Sequence, residues 1–339
     1  MGVDISALVQ GTPLRLTDLA GKAVAIDAFN TLYQFLTTIR QPDGTPLKGR
    51  DGRVTSHISG MFHRSAALLE MGVKPVFVFD GKPPKLKART LEIRRQARET
   101  AEREWKAAVE AGDLKKALTK ASQSTRLDDG MISETKSLLD SMGVPWLVAP
   151  SEGEAQISFM AMRGDVWAGA SQDFDCLLFG TPTLVRNLTL SKRRRVAGGR
   201  TVEVEPELVE LERVLAGMQI TRAQLVDMSI LIGTDFNRGV HGIGPKRALK
   251  IIQELNSLEG VAAAGRAEVP EGYTDVRRIF LEPDVTEQYS LGWPGANDEG
   301  VRKVLCDGHG FSVDRVDSIL SRLRKTSKSR SQKSLDSWG

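Results

Sequence analysis

"KPVFVFD", residues 74–80, is a run of β-branched and aromatic residues that closes on a single aspartate. Three more short apolar runs share its character: "KAVAIDA" (22–28), "VPWLVAP" (144–150) and "DVWAGAS" (165–171). Helical patterns over 29–40, 56–71, 130–142 and 152–163 separate the four runs. Strands that alternate with helices predict an α/β fold, with a central, mostly parallel sheet covered by helices on both faces. Ligands of such sheets bind at the carboxyl ends of the strands.

Acidic residues stand where those ends fall. Asp27 closes the first strand and Asp80 the second. Glu152 and Glu154 follow the third in "PSEGEA", and Asp173 and Asp175 follow the fourth in "SQDFDCLLFG" (171–180). Asp235 lies in "LIGTDFN", just beyond a helix expected over 221–232. A single acid at such a position is an ordinary helix cap or turn residue. Seven on one sheet edge repel one another unless something positive lies among them: a basic side chain, a shared proton or a metal ion. With no His or Cys expected near them, the donor set is all oxygen, which suits Mg²⁺ or Mn²⁺ rather than zinc. The reading is a site for two ions about 4 Å apart, the arrangement used for in-line phosphoryl displacement. "DAFNT" (27–31) also approaches the D-x-D-x-T loop of haloacid-dehalogenase-type phosphatases, but position 29 is Phe, so that family's second aspartate is missing.

The chain has 339 residues, enough for one extended domain or two ordinary ones. With 40% hydrophobic and 27% charged residues it reads as a globular protein. No apolar stretch reaches the roughly 18–20 residues of a membrane span, and the N-terminus shows no secretory apolar region. "MGVDIS" fits a loose myristoylation pattern that arises often by chance. Cys176 and Cys306 define neither a disulfide framework nor a thiolate metal site, and suit a reducing interior.

Charge is unevenly spread. Lys82 to Arg126 holds 13 Lys/Arg against 6 Asp/Glu, an excess larger than the whole chain's net +4. This segment reads as two helices broken at Ala111-Gly112-Asp113, with a thin apolar stripe of Leu91, Ala97, Ala101, Trp105 and Val109. It is either a solvated helical connector or a basic arch that meets a polyanion. "GVHGIGPKRALKII" (239–252) adds a Gly-x-Gly turn between two helices. Gly242 and Gly244 would let the backbone approach a phosphate, with Lys246 and Arg247 opening the second helix. Such contacts grip DNA without reading its sequence.

The blocks "AIDAFNTLYQFL", "KPVFVFDGKPPKLK", "APSEGEAQ", "SQDFDCLLFG", "ILIGTDFN" and "GIGPKRA" resemble the signature blocks of the flap endonucleases. These are structure-specific 5′ nucleases of archaeal and eukaryotic replication, in the XPG-type superfamily. The resemblance runs the length of the chain, in the family's order and spacing. The short tail resembles archaeal members, and the lack of a long acidic spacer argues against the superfamily's excision-repair nuclease.

The resemblance implies a PIN-like 5′ nuclease core with a helical arch and a helix–hairpin–helix (helix-3-turn-helix type) subdomain. The regions would be 1–98 (N-terminal nuclease), 82–129 (arch), 116–257 (internal nuclease, hairpin motif 221–255), 258–326 (C-terminal helical) and 327–339 (tail). Asp27, Asp80, Glu152, Glu154, Asp173, Asp175 and Asp235 match the family's metal-binding set. Lys87 and Arg94, on one helix, match the basic pair that contacts the scissile phosphate, and Tyr33 the aromatic that stacks on the neighbouring base. Gly2 would lie near the site. Arg40, Thr55 and Arg64 match residues around the junction and a one-nucleotide 3′-flap pocket. In "CDGHGF" (306–311), Phe311 is retained while His309 stands where a lysine is often found. The hairpin motif would also hold a K⁺ through backbone carbonyls.

The tail "SKSRSQKSLDSWG" (327–339) is Ser/Lys-rich and expected to be disordered in the free protein. Gln332, Leu335 and Trp338 have the Q-x-x-L-x-x-aromatic spacing of a peptide that binds the sliding clamp (PCNA). Gly339 stands where the family pattern has a second aromatic. Together these features imply a monomeric enzyme of the cell interior, cytoplasmic in an archaeon and nuclear in a eukaryote. It would cut branched DNA one nucleotide into the duplex, leaving a 5′-phosphate and a 3′-hydroxyl.

Overall fold

A computed structural model describes residues 2–41, 43–189, 193–195 and 201–336; the side chains of 193–195, 201–203 and 327–336 lie outside the described part. Strand β1 (Thr12–Pro13) precedes β2 (Ala23–Asp27), which leads through α1 (Ala28–Thr38) and α2 (Ser56–Met71) to β3 (Lys74–Phe79). A helical pair, α3 (Ala88–Glu110) and α4 (Leu114–Gln123), and then α5 (Asp129–Ser141) carry the chain to β4 (Trp146–Val148). Helix α6 (Gly153–Met162) crosses to β5 (Ala168–Ala170), followed by α7 (Asp175–Leu178) and β6 (Thr183–Arg186). An antiparallel pair, β7 (Arg193–Arg195) and β8 (Thr201–Glu203), comes before β9 (Glu207–Glu210). The remainder is helical: α8 (Leu211–Met218), α9 (Arg222–Ile232), α10 (Pro245–Leu255), α11 (Leu258–Ala263), α12 (Tyr273–Leu281), α13 (Asp298–Arg302) and α14 (Val313–Asp336).

Seven strands form one sheet in the order β1-β9-β6-β5-β2-β3-β4. The five strands from β6 to β4 are parallel, whereas β9 pairs antiparallel with β6 and β1. From β2 the chain builds β3 and β4 on one side, then returns through α6 to lay β5 on the other. The strand order therefore reverses at β2, and the crevice of an open α/β sheet lies at such a reversal. Asp27 is the last residue of that central strand.

Alternation along each strand divides the core. Val24, Ile26, Phe77 and Phe79 face a cluster with Leu32, Phe62, Leu139 and Leu320. Ala25, Val76 and Val78 face the opposite cluster, with Ile157 and Met160 of α6. A third cluster, including Leu177, Leu231, Ile252 and Phe280, unites α7 to α12. Within it the buried Asp227 accepts from Arg277 at 2.8 Å and 2.9 Å, and Arg277 also reaches Glu259 at 2.7 Å.

The four expected strands and their helices are present, with bounds that differ by a few residues. Two features differ from expectation. Strands β1, β6, β7, β8 and β9 were not legible, because runs of two to four residues carry no periodicity of their own. The tail is not irregular backbone as far as Asp336: α14 continues through 327–336, a stretch with no Gly or Pro to end it. Trp338 and Gly339 lie outside the described residues.

Helices α1 and α2 meet where Gly60 faces Phe35, and a Cβ at residue 60 would lie 2.3 Å from the ring. Gly60→Ala should destabilise the protein by about 1–3 kcal/mol through overpacking. Gly217→Ala, in open space on α8, should be neutral or stabilising. Chemical denaturation of both variants checks the pair; equal stabilities would contradict the packing described.

Candidate active site

The acids gather at the carboxyl edge of the sheet because each follows a strand or opens a helix there. Asp27 ends β2 and caps α1, accepting from the Asn30 N–H at 2.9 Å. Asp80 follows β3 and accepts from the Gly153 N–H, at the start of α6, at 2.7 Å. Glu152 and Glu154 flank that helix start. Asp173 lies between β5 and α7, and Asp175 opens α7, accepting from the Val3 N–H at 2.8 Å. A helix N-terminus favours negative charge, so α1 and α6 ease the crowding of carboxylates.

The crowding persists. Burial first, and then the charge of Asp80, push the Asp27 pKa up to about 8; Asp173 adds to the effect. Burial and the charges of Asp173 and Asp235 push Asp175 up to about 7, against the opposing bond from Val3. Glu154 is raised well above the usual range by burial, then by Asp175, Asp173, Asp27 and Glu152. Each acid therefore feels the others, which places them in one cluster.

Two cations sit among them. Lys87, buried at the end of a short 3₁₀ turn just before α3, is hydrogen-bonded to Glu152 and lies 3.7 Å from Asp235. Burial alone would lower its pKa, but Glu152, Asp80 and Glu154 outweigh burial and hold it above the ordinary value. Arg94, one and a half turns into α3, donates to Asp235 at 2.5 Å. The two expected partners thus lie together, although Lys87 precedes the helix rather than belonging to it. Tyr33, on α1, carries the Arg98 guanidinium 5.5 Å above its ring centroid. A Cβ on Gly2 would fall 2.3 Å from the Asp175 carboxylate, so only glycine fits there.

Sequence reasoning missed two residues inside its own motifs. Ser171 Oγ donates to Asp27 at 3.3 Å and to Glu154 at 3.5 Å, and accepts from the Asp173 N–H at 3.2 Å. Asn30 Nδ2 donates to Asp173 at 3.4 Å. Ser and Asn are so common at strand ends and helix starts that their types alone gave no signal. The expectation that no cysteine lies near the acids fails at Cys176, which adjoins Asp175. It points into the core, fully buried, and burial, with Glu154 and Asp27 adding, raises its thiol pKa well above normal.

The basic segment is an ordered helical pair whose buried residues are alanines: Ala101 and Ala108 on α3, Ala117 and Ala121 on α4. The expected stripe partners Leu91 and Val109 stay exposed. At the other expected DNA-facing positions, Arg40 donates to the Leu36 and Gly44 carbonyls and to Thr125, at 2.6–2.7 Å. Arg64 donates to the Thr189 carbonyl at 3.0 Å. Both arginines are thus tied to the protein's own structure. Thr55 is buried, and Phe311 is partly buried against the core. Gly242, with φ 75°, takes the left-handed turn before α10, whose first turn exposes Lys246 and Arg247; Gly244 caps that helix.

Among the described residues no three or more Asp, Glu, His or Cys side chains already form a metal-binding group. Lys87 and Arg94 instead balance part of the negative charge. The donor set, partly to fully buried, all oxygen and mutually repulsive, nevertheless fits a hard divalent cation.

An acid-lined strand-order reversal beneath a basic helical pair is the arrangement of the XPG-type nucleases. The chain matches the XPG N-terminal domain over residues 4–101 and the XPG I-region over residues 143–235. It is 49% identical to flap endonuclease 1 of Thermococcus onnurineus, over 100% of this chain and 99% of that protein. It is 45% identical to flap endonuclease 1 of Methanosarcina acetivorans over the full length of both. The solved structure of flap endonuclease-1 from Methanococcus jannaschii superposes with a TM-score of 0.77 at 42% identity, covering 97% of this chain and 100% of that one. The catalytic core of Rad2 in complex with DNA substrate shares the fold, with a TM-score of 0.70 at 24% identity over 92% of this chain and 96% of that one. The chain belongs to the flap endonuclease 1 family. That family consists of nucleases, phosphodiester hydrolases that generally use divalent metal ions.

A raised acid pKa in the folded state means that its contribution to stability is present at low pH and lost as pH rises through the shifted value. In metal-free buffer, Asp27→Asn should therefore gain stability relative to wild type between about pH 4 and pH 8, the span from the ordinary to the shifted pKa. Melting temperatures in chelator across that range test this, and a constant difference between the two proteins would contradict it.

Proposed function

We propose that this protein is a structure-specific 5′-flap endonuclease with 5′–3′ exonuclease activity, acting in Okazaki fragment maturation and long-patch base excision repair. The observation that carries this reading is the acid cluster with Lys87 and Arg94 lodged in it at the root of a basic helical pair, in a chain alike over its whole length to flap endonucleases.

Asp27, Asp80, Glu152, Glu154, Asp173, Asp175 and Asp235 would hold two Mg²⁺ ions, with Mn²⁺ able to substitute. Bound there, the ions would supply Lewis-acid charge for phosphodiester hydrolysis. The protein's own part is positional. Ser171 and Asn30 orient Asp27, Glu154 and Asp173, while the Val3 and Gly153 N–H groups fix Asp175 and Asp80. Lys87 and Arg94 exchange their carboxylate partners for oxygens of the scissile phosphate and stabilise charge that develops in the transition state. Tyr33 stacks on the adjoining base.

The 5′ flap passes beneath α3 and α4, and the turn before α10 holds duplex backbone through Gly242, Gly244, Lys246 and Arg247, with K⁺ bound at the same turn. Recognition is therefore of junction shape rather than sequence. Gly2 would lie close to the active site, while Arg40, Thr55, Arg64 and Phe311 would line the junction and the 3′-flap pocket, where His309 stands in place of a lysine. The protein would act as a monomer inside the cell and reach the sliding clamp (PCNA) through Gln332, Leu335 and Trp338. Gln332 and Leu335 are three residues apart within α14.

Incubation with Mg²⁺ and a labelled 5′-flap duplex tests the reaction itself. Asp173→Asn should abolish cleavage yet bind flap DNA almost as wild type does; a variant that cleaves at about a tenth of the wild-type rate would remove Asp173 from the metal set.

Arg94→Ala should raise the single-turnover barrier by ~2–4 kcal/mol with little change in substrate Kd, the size expected for one lost transition-state donor. An unchanged rate with weakened binding would make Arg94 a docking residue.

A further inference from the structure

Away from the acid cluster, two histidines are sealed into one place. His57, at the start of α2, is 0% exposed, and His309, before α14, is 5% exposed. Their rings stand edge to face with centroids 6.5 Å apart. Both Nε2 atoms face the same oxygen, Glu134 Oε2 on α5, at 3.2 Å and 3.5 Å. The other oxygen of Glu134 accepts from Arg53 at 2.9 Å, and Arg53 also donates to the Gly308 carbonyl, next to His309. One carboxylate thus joins α2, α5, the turn 49–53 and the segment 303–311. The backbone packs tightly there: a Cβ at Gly49 would lie 2.9 Å from the His309 carbonyl oxygen and 3.4 Å from Thr55.

A carboxylate can satisfy two neutral imidazoles at once if each donates its Nε2–H. Nδ1 is then a bare lone pair on both rings. Among the described residues neither His57 Nδ1 nor His309 Nδ1 has a hydrogen-bond partner, although both are buried. Protonation would place an N–H at each of those positions, and a buried donor without an acceptor is costly. The new charges would also face each other and Arg53. Against them stand Glu134 of α5, Asp128, which caps that helix, and Asp51, which is already paired with Arg53. Arg50, packed on Gly310, adds a further positive charge nearby.

We propose that His57, Glu134 and His309 form an acid-released latch: closed while His57 is neutral, it fixes segment 303–311 and the turn 49–53 onto α2 and α5, and it opens when His57 protonates. Burial lowers the His57 pKa, with His309 adding to that and Glu134 opposing it. The open form therefore takes up protons at a higher pH than the closed form. Closure is strongest above the ordinary histidine pKa and weakens as pH falls below it.

Native-state hydrogen exchange on the full chain tests the latch at the Gly310 and Phe311 amides, which donate to the Cys306 and Leu305 carbonyls. After correction for intrinsic rates, protection there should fall about tenfold between pH 7.5 and pH 5.5, the response expected for linked uptake of one proton. Amides of α10 should change little. His57→Gln, whose amide nitrogen can stand where Nε2 does but does not titrate, should lose most of that pH dependence, and His57→Asn should do the same should the first variant fold poorly. Imidazole ¹⁵N shifts of the wild type at pH 7.5 should report Nε2–H tautomers for both rings. Protection independent of pH, an unchanged pH slope in the variants, or Nδ1–H tautomers would each overturn the latch.

Discussion

Carboxylates that repel one another in a largely buried place set the terms for the rest of this molecule. Asp27, Glu154 and Asp175 carry raised pKa values because water is excluded and the neighbouring charges have the same sign. The fold tolerates this arrangement through several compensations at once: peptide N–H donors from residues 3, 30 and 153, and two cations from the start of the helical pair. Lys87 and Arg94 are fixed in place by the acids as much as the acids are neutralised by them. A segment with few apolar contacts of its own is thereby anchored at its root by charge.

The same logic explains the division of labour around the sheet. The apolar strands and their two covering layers supply rigidity, while polar residues are concentrated where strands end. Beyond α9 the third core cluster carries the turn before α10, with the Asp227–Arg277–Glu259 network holding α9, α11 and α12 in register. That network is paired throughout, although burial still raises the Asp227 pKa, whereas in the acid cluster several carboxylates face one another with only two cations among them. Unequal compensation separates a structural charge network from one poised to accept a cation.

The layout of the sheet and of the acids was legible because both rest on signals that survive in one dimension. Apolar runs of "KAVAIDA" and "KPVFVFD" type are hard to mistake, and an acid just past such a run has few places to go. The missed elements lacked that signal. Thr12–Pro13 is a strand only because Glu207 and Leu208 pair with it. Ser171 and Asn30 matter through what they touch, and their neighbours in space come from other strands and helices. Arg40 and Arg64 read as available cations, yet tertiary structure supplied backbone carbonyls within reach. The tail reads as disordered by composition, but Lys, Arg, Ser and Gln without Gly or Pro are equally able to extend a helix already begun.

The position of β2 also bears on how the chain is made. Its register partners on one side, Lys74–Val78, leave the ribosome soon after it, but Ala168–Ala170 on the other side come much later. At ordinary synthesis rates of 5–20 residues per second, that interval lasts about 5–20 s. Throughout it, the edge of β2 that β5 will cover offers unpaired peptide groups on an apolar strand, the kind of edge that recruits foreign strands. The nascent chain must therefore shield the strand at which the order reverses before the sheet can close, and a slow-translating stretch between residues 80 and 168 would lengthen that exposure.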